Sequence, residues 1–160
     1  MPAREEEIKQ YIEFEISDQI FGIDVLNSRE IIKPQEITIL PDSPEFVEGI
    51  INLREEIIPI INLEKKFNIR SNKNKVINRQ VIIITINKLL IGLKVNEVNG
   101  IIRINNKKIK DIPGITQKLN KNYIKGVASL DKGLLIILDI NNIFSKEEIK
   151  QLKKVNQNYT

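Results

Sequence analysis

Residues 45–67, EFVEGIINLREEIIPIINLEKKF, return without a gap as residues 122–144, NYIKGVASLDKGLLIILDINNIF. Gly49 falls on Gly126, Leu53 on Leu130, Ile60 on Ile137 and Phe67 on Phe144, and nearly every apolar position between them stays apolar. The upstream segment repeats as well: residues 10–33 lie over 80–103, matching Gly22 with Gly92, Val25 with Val95 and Ile31 with Ile101. One small unit has been built twice, in the order A-B-A′-B′. A unit of ~60 residues buries only about 60% of its unfolded surface, so the two copies are expected to lean on each other in a single domain spanning 1–160. The expected division is a first subdomain over about 11–70, a second over about 78–140 and a helix over about 140–155, with 1–8 a mobile terminus.

Hydrophobic residues at 41% and charged residues at 29% are the proportions of a folded water-soluble chain. The longest apolar runs, such as 81–84, fall far short of the ~20 residues that span a bilayer. The opening MPAREEEIKQ has no apolar signal-peptide region, and without cysteine there is no disulfide framework. A cytoplasmic protein is expected, with no direct insertion into a membrane. The absence of His and Cys also removes imidazole bases, thiol nucleophiles and the common zinc sites. The seven glycines form no phosphate-cradling motif, and the carboxylate runs at Glu5–Glu7, Glu55–Glu56 and Glu147–Glu148 are of the kind found on solvated faces. No catalytic residue, cofactor or metal is therefore expected, and no enzyme. A net charge of +4 raises the alternative of a small β-barrel nucleic-acid-binding protein. Against it, the lysine runs are diluted by Asn and Glu. The 5% aromatic residues sit inside apolar patterns, where stacking on single strands would interleave them with the basic track.

β-Branched residues bounded by Asp, Asn and Ser predict strands joined as hairpins. Strands are expected over 10–16 and, after a turn at Ser17-Asp18-Gln19, in a long run over 20–32. Within that run Phe21, Ile23 and Val25 alternate with polar neighbours, but the phase is lost at 26–28. In the second copy Ile91, Leu93 and Val95 hold odd positions, then Val98, Ile102 and Ile104 take even ones. A change of buried face in mid-strand needs a bulge or a strand that leaves one sheet for another, so both long strands are expected to run across the junction. Pro41 to Pro44 break the chain, predicting a single helical turn over 45–48. Hairpins follow over 49–62 around Arg54-Glu55-Glu56, with Pro59 suggesting an edge strand or bulge, and over 126–138. Residues 63–67 should turn briefly helical, Ile112-Pro113-Gly114 act as the second breaker, and a longer helix run from Ile140. In that helix Ser145 and Glu148 form a capping box, and Ile149, Leu152 and Val155 an apolar stripe. The sum is a mainly β fold of two five-stranded antiparallel barrels with short helices.

FGIDV at 21–25, Glu30-Ile31, PEFVEGIINLR at 44–54, IIPIINL at 57–63 and IGLKV at 91–95 together resemble the CheW-like coupling domain of bacterial chemotaxis, over about 11–152. The resemblance implies two SH3-like five-stranded β-barrel subdomains and no catalytic site. It implies a scaffold that couples the cytoplasmic tips of chemoreceptors (methyl-accepting chemotaxis proteins) to the regulatory domain of the histidine kinase CheA, at receptor arrays on the inner face of the membrane. Carried over by position, receptor binding would fall to Ile12, Val25, Ser28, Glu30, Ile31, Val98 and Ile101, and kinase binding to Ile37, Ile39 and Arg54. By pattern alone, the apolar members would serve equally to seal one barrel against the other, and Glu30 and Arg54 would be solvated strand and hairpin charges. The chain departs from the family pattern at Glu55, where glycine is usual, at Asn96, often aspartate, and at Ser28, often apolar.

Overall fold

The computed structural model describes residues 7–33, 35–70, 79–111 and 123–158. The expected breaker at Ile112-Pro113-Gly114 lies outside the described residues, as does most of the expected mobile terminus. Described strands are β1 (Ile8–Ile16), β2 (Gln19–Asp24), β3 (Ser28–Ile32), β4 (Val47–Leu53), β5 (Glu56–Asn62), β6 (Gln80–Ile86), β7 (Leu89–Val95), β8 (Glu97–Asn105), β9 (Ile124–Leu130) and β10 (Gly133–Leu138). Helices are α1 (Leu63–Lys66) and α2 (Lys146–Asn158). The strands form two five-stranded sheets, the first ordered β8-β1-β2-β10-β9 and the second β3-β6-β7-β5-β4. Pairing is antiparallel except where β10 runs parallel to β2 and β5 to β7.

Each sheet draws strands from both sequence copies. The chain changes sheet where the alternation loses phase, after β2 and after β7. In the first copy Asp24 ends β2 and caps a 3-10 turn over Val25–Asn27, its carboxylate accepting from the Leu26 N–H at 2.9 Å. The Ser28 hydroxyl closes that turn on the Val25 carbonyl at 2.7 Å, and β3 then joins the other sheet. In the second copy Asn96 alone makes the crossing, donating its N–H to the Glu15 carbonyl at 2.9 Å and accepting from the Ser17 N–H on its side chain. The halves 11–70 and 78–140 are thus repeats of pattern and not the units that pair. The crossing strands exchange between them.

The duplication extends to the irregularities. Register shifts leave Arg29 unpaired on β3 and Asn99 unpaired on β8, and likewise Glu48 on β4 and Lys125 on β9, each pair at matching positions of the repeats. Each sheet curls until an isolated bridge ties its far edge to the chain leaving its near edge, Thr38 to Ile50 in the second sheet and Lys110 to Val127 in the first. Glycine is required beside both bridges. A Cβ on Gly49 would lie 2.2 Å from the Thr38 carbonyl oxygen, and one on Gly126 would lie 2.9 Å from that of Lys110. These contacts account for the most prominent repeated residue in the sequence.

Four local expectations change. Residues 45–48 are not helical: Val47 donates to Pro44 O and Asn62 to Phe46 O, both at 2.9 Å, so the chain turns and enters β4 at once. Pro59 is not on an edge strand, because β5 lies between β7 and β4; its missing N–H is tolerated because the parallel ladder to β7 begins only at Ile60. The helix expected from Ile140 is two pieces. Asp139 caps a 3-10 turn over Ile140–Asn142, and α2 starts afresh at Ser145, whose hydroxyl accepts from the Glu148 N–H at 3.1 Å while Glu148 accepts from the Ser145 N–H at 2.8 Å. Finally, β1 begins at Ile8, inside the segment expected to be mobile.

One large core lies between the sheets, taking Ile12, Phe14, Phe21 and Ile23 from the first and Ile82, Ile84, Ile91 and Leu93 from the second. Leu152 of α2 enters it, and Val155 packs on Leu40 and Ile50. Each curled sheet also encloses its own cluster, around Tyr11, Ile104 and Ile137 in the first and Ile51, Ile60 and Ile83 in the second. Burying one such aliphatic side chain contributes roughly 1.5–3 kcal/mol. Parting the sheets would expose the largest of these clusters, so they hold together as one unit.

Candidate protein-interaction site

The crossing strands β3 and β8 carry the candidate receptor residues to the margin of the inter-sheet core. Their bulges decide which side chains face it. In a regular strand residues three apart point to opposite faces. On β8, however, Val98 stands opposite Phe14 and Ile101 opposite Ile12, both core-facing partners, because Asn99 is skipped in the pairing. On β3 the same device places Ser28 opposite Ile84 and Ile31 opposite Ile82. Ser28, Ile31, Val98 and Ile101 therefore share one seam, with Val25 packed at its floor and Ile12 buried beneath. The core is unfinished there, with Ile31 40% exposed and Ile101 61%. Leu26, in the crossing turn, is 89% exposed and was not among the sequence candidates. Its signal was present: it stands where the alternation fails. Exposed apolar side chains gathered at the margin of a core are the kind of feature found at protein-interaction surfaces.

Glu30 faces elsewhere. It pairs with Ile83 of the second sheet's own cluster and so points away from the seam, toward the mouth of that sheet. There the β4–β5 hairpin presents Arg54, whose Nη1 donates to Glu30 Oε2 at 3.0 Å while Nη2 lies 2.9 Å from Oε1 as an ion-pair contact, Oε1 itself being buried without a hydrogen-bond partner. Two residues assigned to different partners thus form one ion pair. Its Arg54 end is well exposed, so the pair adds at most about 1 kcal/mol to stability. The hairpin holds Arg54 by a tight turn in which Arg54 and Glu55 have φ of 50° and 71°. Glycine is the residue suited to such a turn, and Glu55 occupies it here at a φ that a side chain rarely adopts.

The remaining kinase candidates lie along β4. Ile37 is half-buried against the second sheet's cluster, whereas Ile39 is 79% exposed. Since Thr38 bridges Ile50, Ile39 lies beside Gly49 and Arg54 at the far end of the strand, roughly 16 Å away at ~3.3 Å per residue. These three form a strip and not a cluster. Ser28, a departure from the family pattern, donates its hydroxyl proton to the Val25 carbonyl and so offers the seam an acceptor only. Among the described residues no group of acidic side chains could hold a metal, and no helix is long and apolar enough to cross a membrane.

A sequence profile described as the CheW-like domain matches residues 10–148. A chemotaxis protein CheW of Thermotoga maritima is 34% identical over 142 residues, covering 89% of this chain and 91% of its own. One of Treponema pallidum is 32% identical over 146 residues, covering 89% and 86%. The crystal structure of the scaffolding protein TtCheW from Thermoanaerobacter tengcongensis superposes with a TM-score of 0.77 at 31% identity, covering 88% of this chain and 90% of that one.

Proposed function

Because the chain belongs to the CheW-like domain family, a family of chemotaxis scaffolds and adaptors and not of enzymes, we propose that it couples chemoreceptors to the histidine kinase CheA. The receptor tip occupies the seam of Val25, Ser28, Ile31, Val98 and Ile101 over Ile12, and reaches Glu30. The regulatory domain of CheA lies along the strip of Ile37, Ile39 and Arg54. The protein works in the cytoplasm, at receptor arrays on the inner face of the membrane. The observation that carries this reading is the Glu30–Arg54 ion pair, which joins the two proposed surfaces. A receptor cation that takes Glu30 releases the Arg54 guanidinium for a kinase carboxylate. Binding at either surface then alters the other, and a coupling free energy of only about 1–3 kcal/mol changes an affinity by about 5- to 150-fold.

The test is calorimetry on the purified protein with a receptor-tip fragment and with the CheA regulatory domain. Both are expected to bind. Glu30→Ala should weaken receptor-tip binding and Arg54→Ala kinase binding, with the melting temperature nearly unchanged in both. Wild-type binding by both variants would remove these residues from the interface, and failure of the unaltered protein to bind either partner would overturn the reading as a whole.

A further inference from the structure

The mouth of the second curled sheet carries an acid on a crossing strand paired with a cation on a hairpin tip, Glu30 with Arg54. The first sheet has a counterpart that the sequence does not advertise. Glu13 of β1, set between Gly22 and Gly100 on its neighbouring strands, is a carboxylate only 4% exposed. Its Oε2 accepts from Asn99 Nδ2 at 2.6 Å and is ion-paired with Lys132. Lys132 stands in the turn between β9 and β10, as Glu55 does between β4 and β5. Glu13 pairs with Gly100 where, at the matching place in the other sheet, Ile83 pairs with Glu30. The acid has moved across the ladder to the neighbouring strand, and the hairpin-tip cation has moved by one residue. The equivalence is one of position and chemistry.

The two differ in what the acid holds. In the first sheet it holds the bulge itself: Asn99 is the residue skipped between Val98 and Gly100, and its side chain is turned inward onto Glu13. Gly100, next along, has a φ of 135°, a conformation open to glycine and strained for other residues. A bulge that migrated by one residue would send Val98 or Ile101 to the opposite face. β8 is an edge strand, with no second ladder to prevent this.

We propose that Glu13 is a positioning residue for the seam. Braced by Lys132, it locks the Asn99 bulge and so fixes Val98 and Ile101 on the face that the receptor tip occupies. The inference rests on the proposed receptor site for its functional consequence, while the lock itself concerns β8 alone.

The experiment compares Glu13→Gln, Lys132→Ala and Lys132→Arg by amide hydrogen exchange and by titration with the receptor-tip fragment and the CheA regulatory domain. Lys132 is half exposed, so its replacement removes little packing, and Lys132→Arg keeps the cation opposite the buried carboxylate as the control. Lys132→Ala is expected to speed exchange across residues 98–101 about tenfold, with residues 82–84 unchanged. It should weaken receptor binding about 5- to 20-fold, with kinase binding preserved, and Lys132→Arg should behave as wild type. Unchanged exchange at β8 in both Lys132→Ala and Glu13→Gln would overturn the lock. So would an equal loss of receptor and kinase binding with exchange faster throughout, which is mere destabilisation. If the unaltered protein bound no receptor tip, the proposed function would fail, and the exchange at β8 would still decide the lock.

Discussion

Glu55→Gly should stabilise the protein, and the size of the gain follows from the turn. Arg54 and Glu55 have φ of 50° and 71°, and a left-handed conformation costs a side-chain-bearing residue roughly 1–2 kcal/mol. Glycine removes that strain but gives the unfolded chain more freedom to lose, a penalty of about 0.4–1 kcal/mol. The net gain is about 0.5–1 kcal/mol, which for a chain of this size raises the melting temperature by about 1–4 °C. Arg54 keeps its place, so the ion pair to Glu30 should persist. The assay is a matched set of thermal and denaturant melts on Glu55→Gly and Glu55→Ala. Alanine has a Cβ and should gain little, which separates relief of strain from removal of a charge. Lys88→Gly supplies an independent case, because Asn87 and Lys88 repeat the geometry with φ of 50° and 70°. A Glu55→Gly protein no more stable than Glu55→Ala would refute the reasoning.

Gly49→Ala should be strongly destabilising, because the new Cβ meets backbone at Thr38, whereas alanine at Gly22, whose nearest neighbours are flexible side-chain atoms at 3.2 Å and beyond, should cost less; equilibrium denaturation of the two orders them. Phe67→Ala and Phe144→Ala, which empty matching buried sites, should each cost about 3–5 kcal/mol by the same measurement. Burial raises the Tyr11 phenol above its ordinary value of 10.0, with a further contribution from Asp24, and burial alone raises Tyr123. The fold therefore retains these protons longer than the unfolded chain does. Their contribution to stability is complete below pH 10 and is lost as pH rises through the folded values. Denaturant midpoints measured across that range should fall, less steeply for Tyr11→Phe.

The repeated glycines, the alternating strands, the capping box and the Ile149, Leu152 and Val155 stripe were legible because each is a local rule with a residue-level signature. So was the crossing of the long strands, since a loss of alternation has few physical causes. Which strands would then pair was not legible. Once β3 and β8 leave their sheets, pairing is settled by the shared core, and the contiguous halves cease to be structural units. The helical turn expected over 45–48 failed for a similar reason, because Asn62, distant in sequence, captures the Phe46 carbonyl. At the site, the candidate seam residues came from the resemblance, and their common face depends on bulges that alternation registers only as noise. The meeting of Glu30 with Arg54 and of Glu13 with Lys132 required the curl of the sheets, which no spacing in the sequence records.

The measurement that tests the account most directly is titration of the CheA regulatory domain into the protein, first alone and then saturated with a receptor-tip fragment. The account predicts that the kinase domain binds in both states, forming a ternary complex, with an affinity that differs between them. That difference should vanish when Glu30 and Arg54 are both replaced by alanine. Exclusion of the kinase domain by the receptor tip would contradict the account, because a scaffold must hold both partners at once. So would an affinity shift that survives the double replacement, because the ion pair would then not be the link.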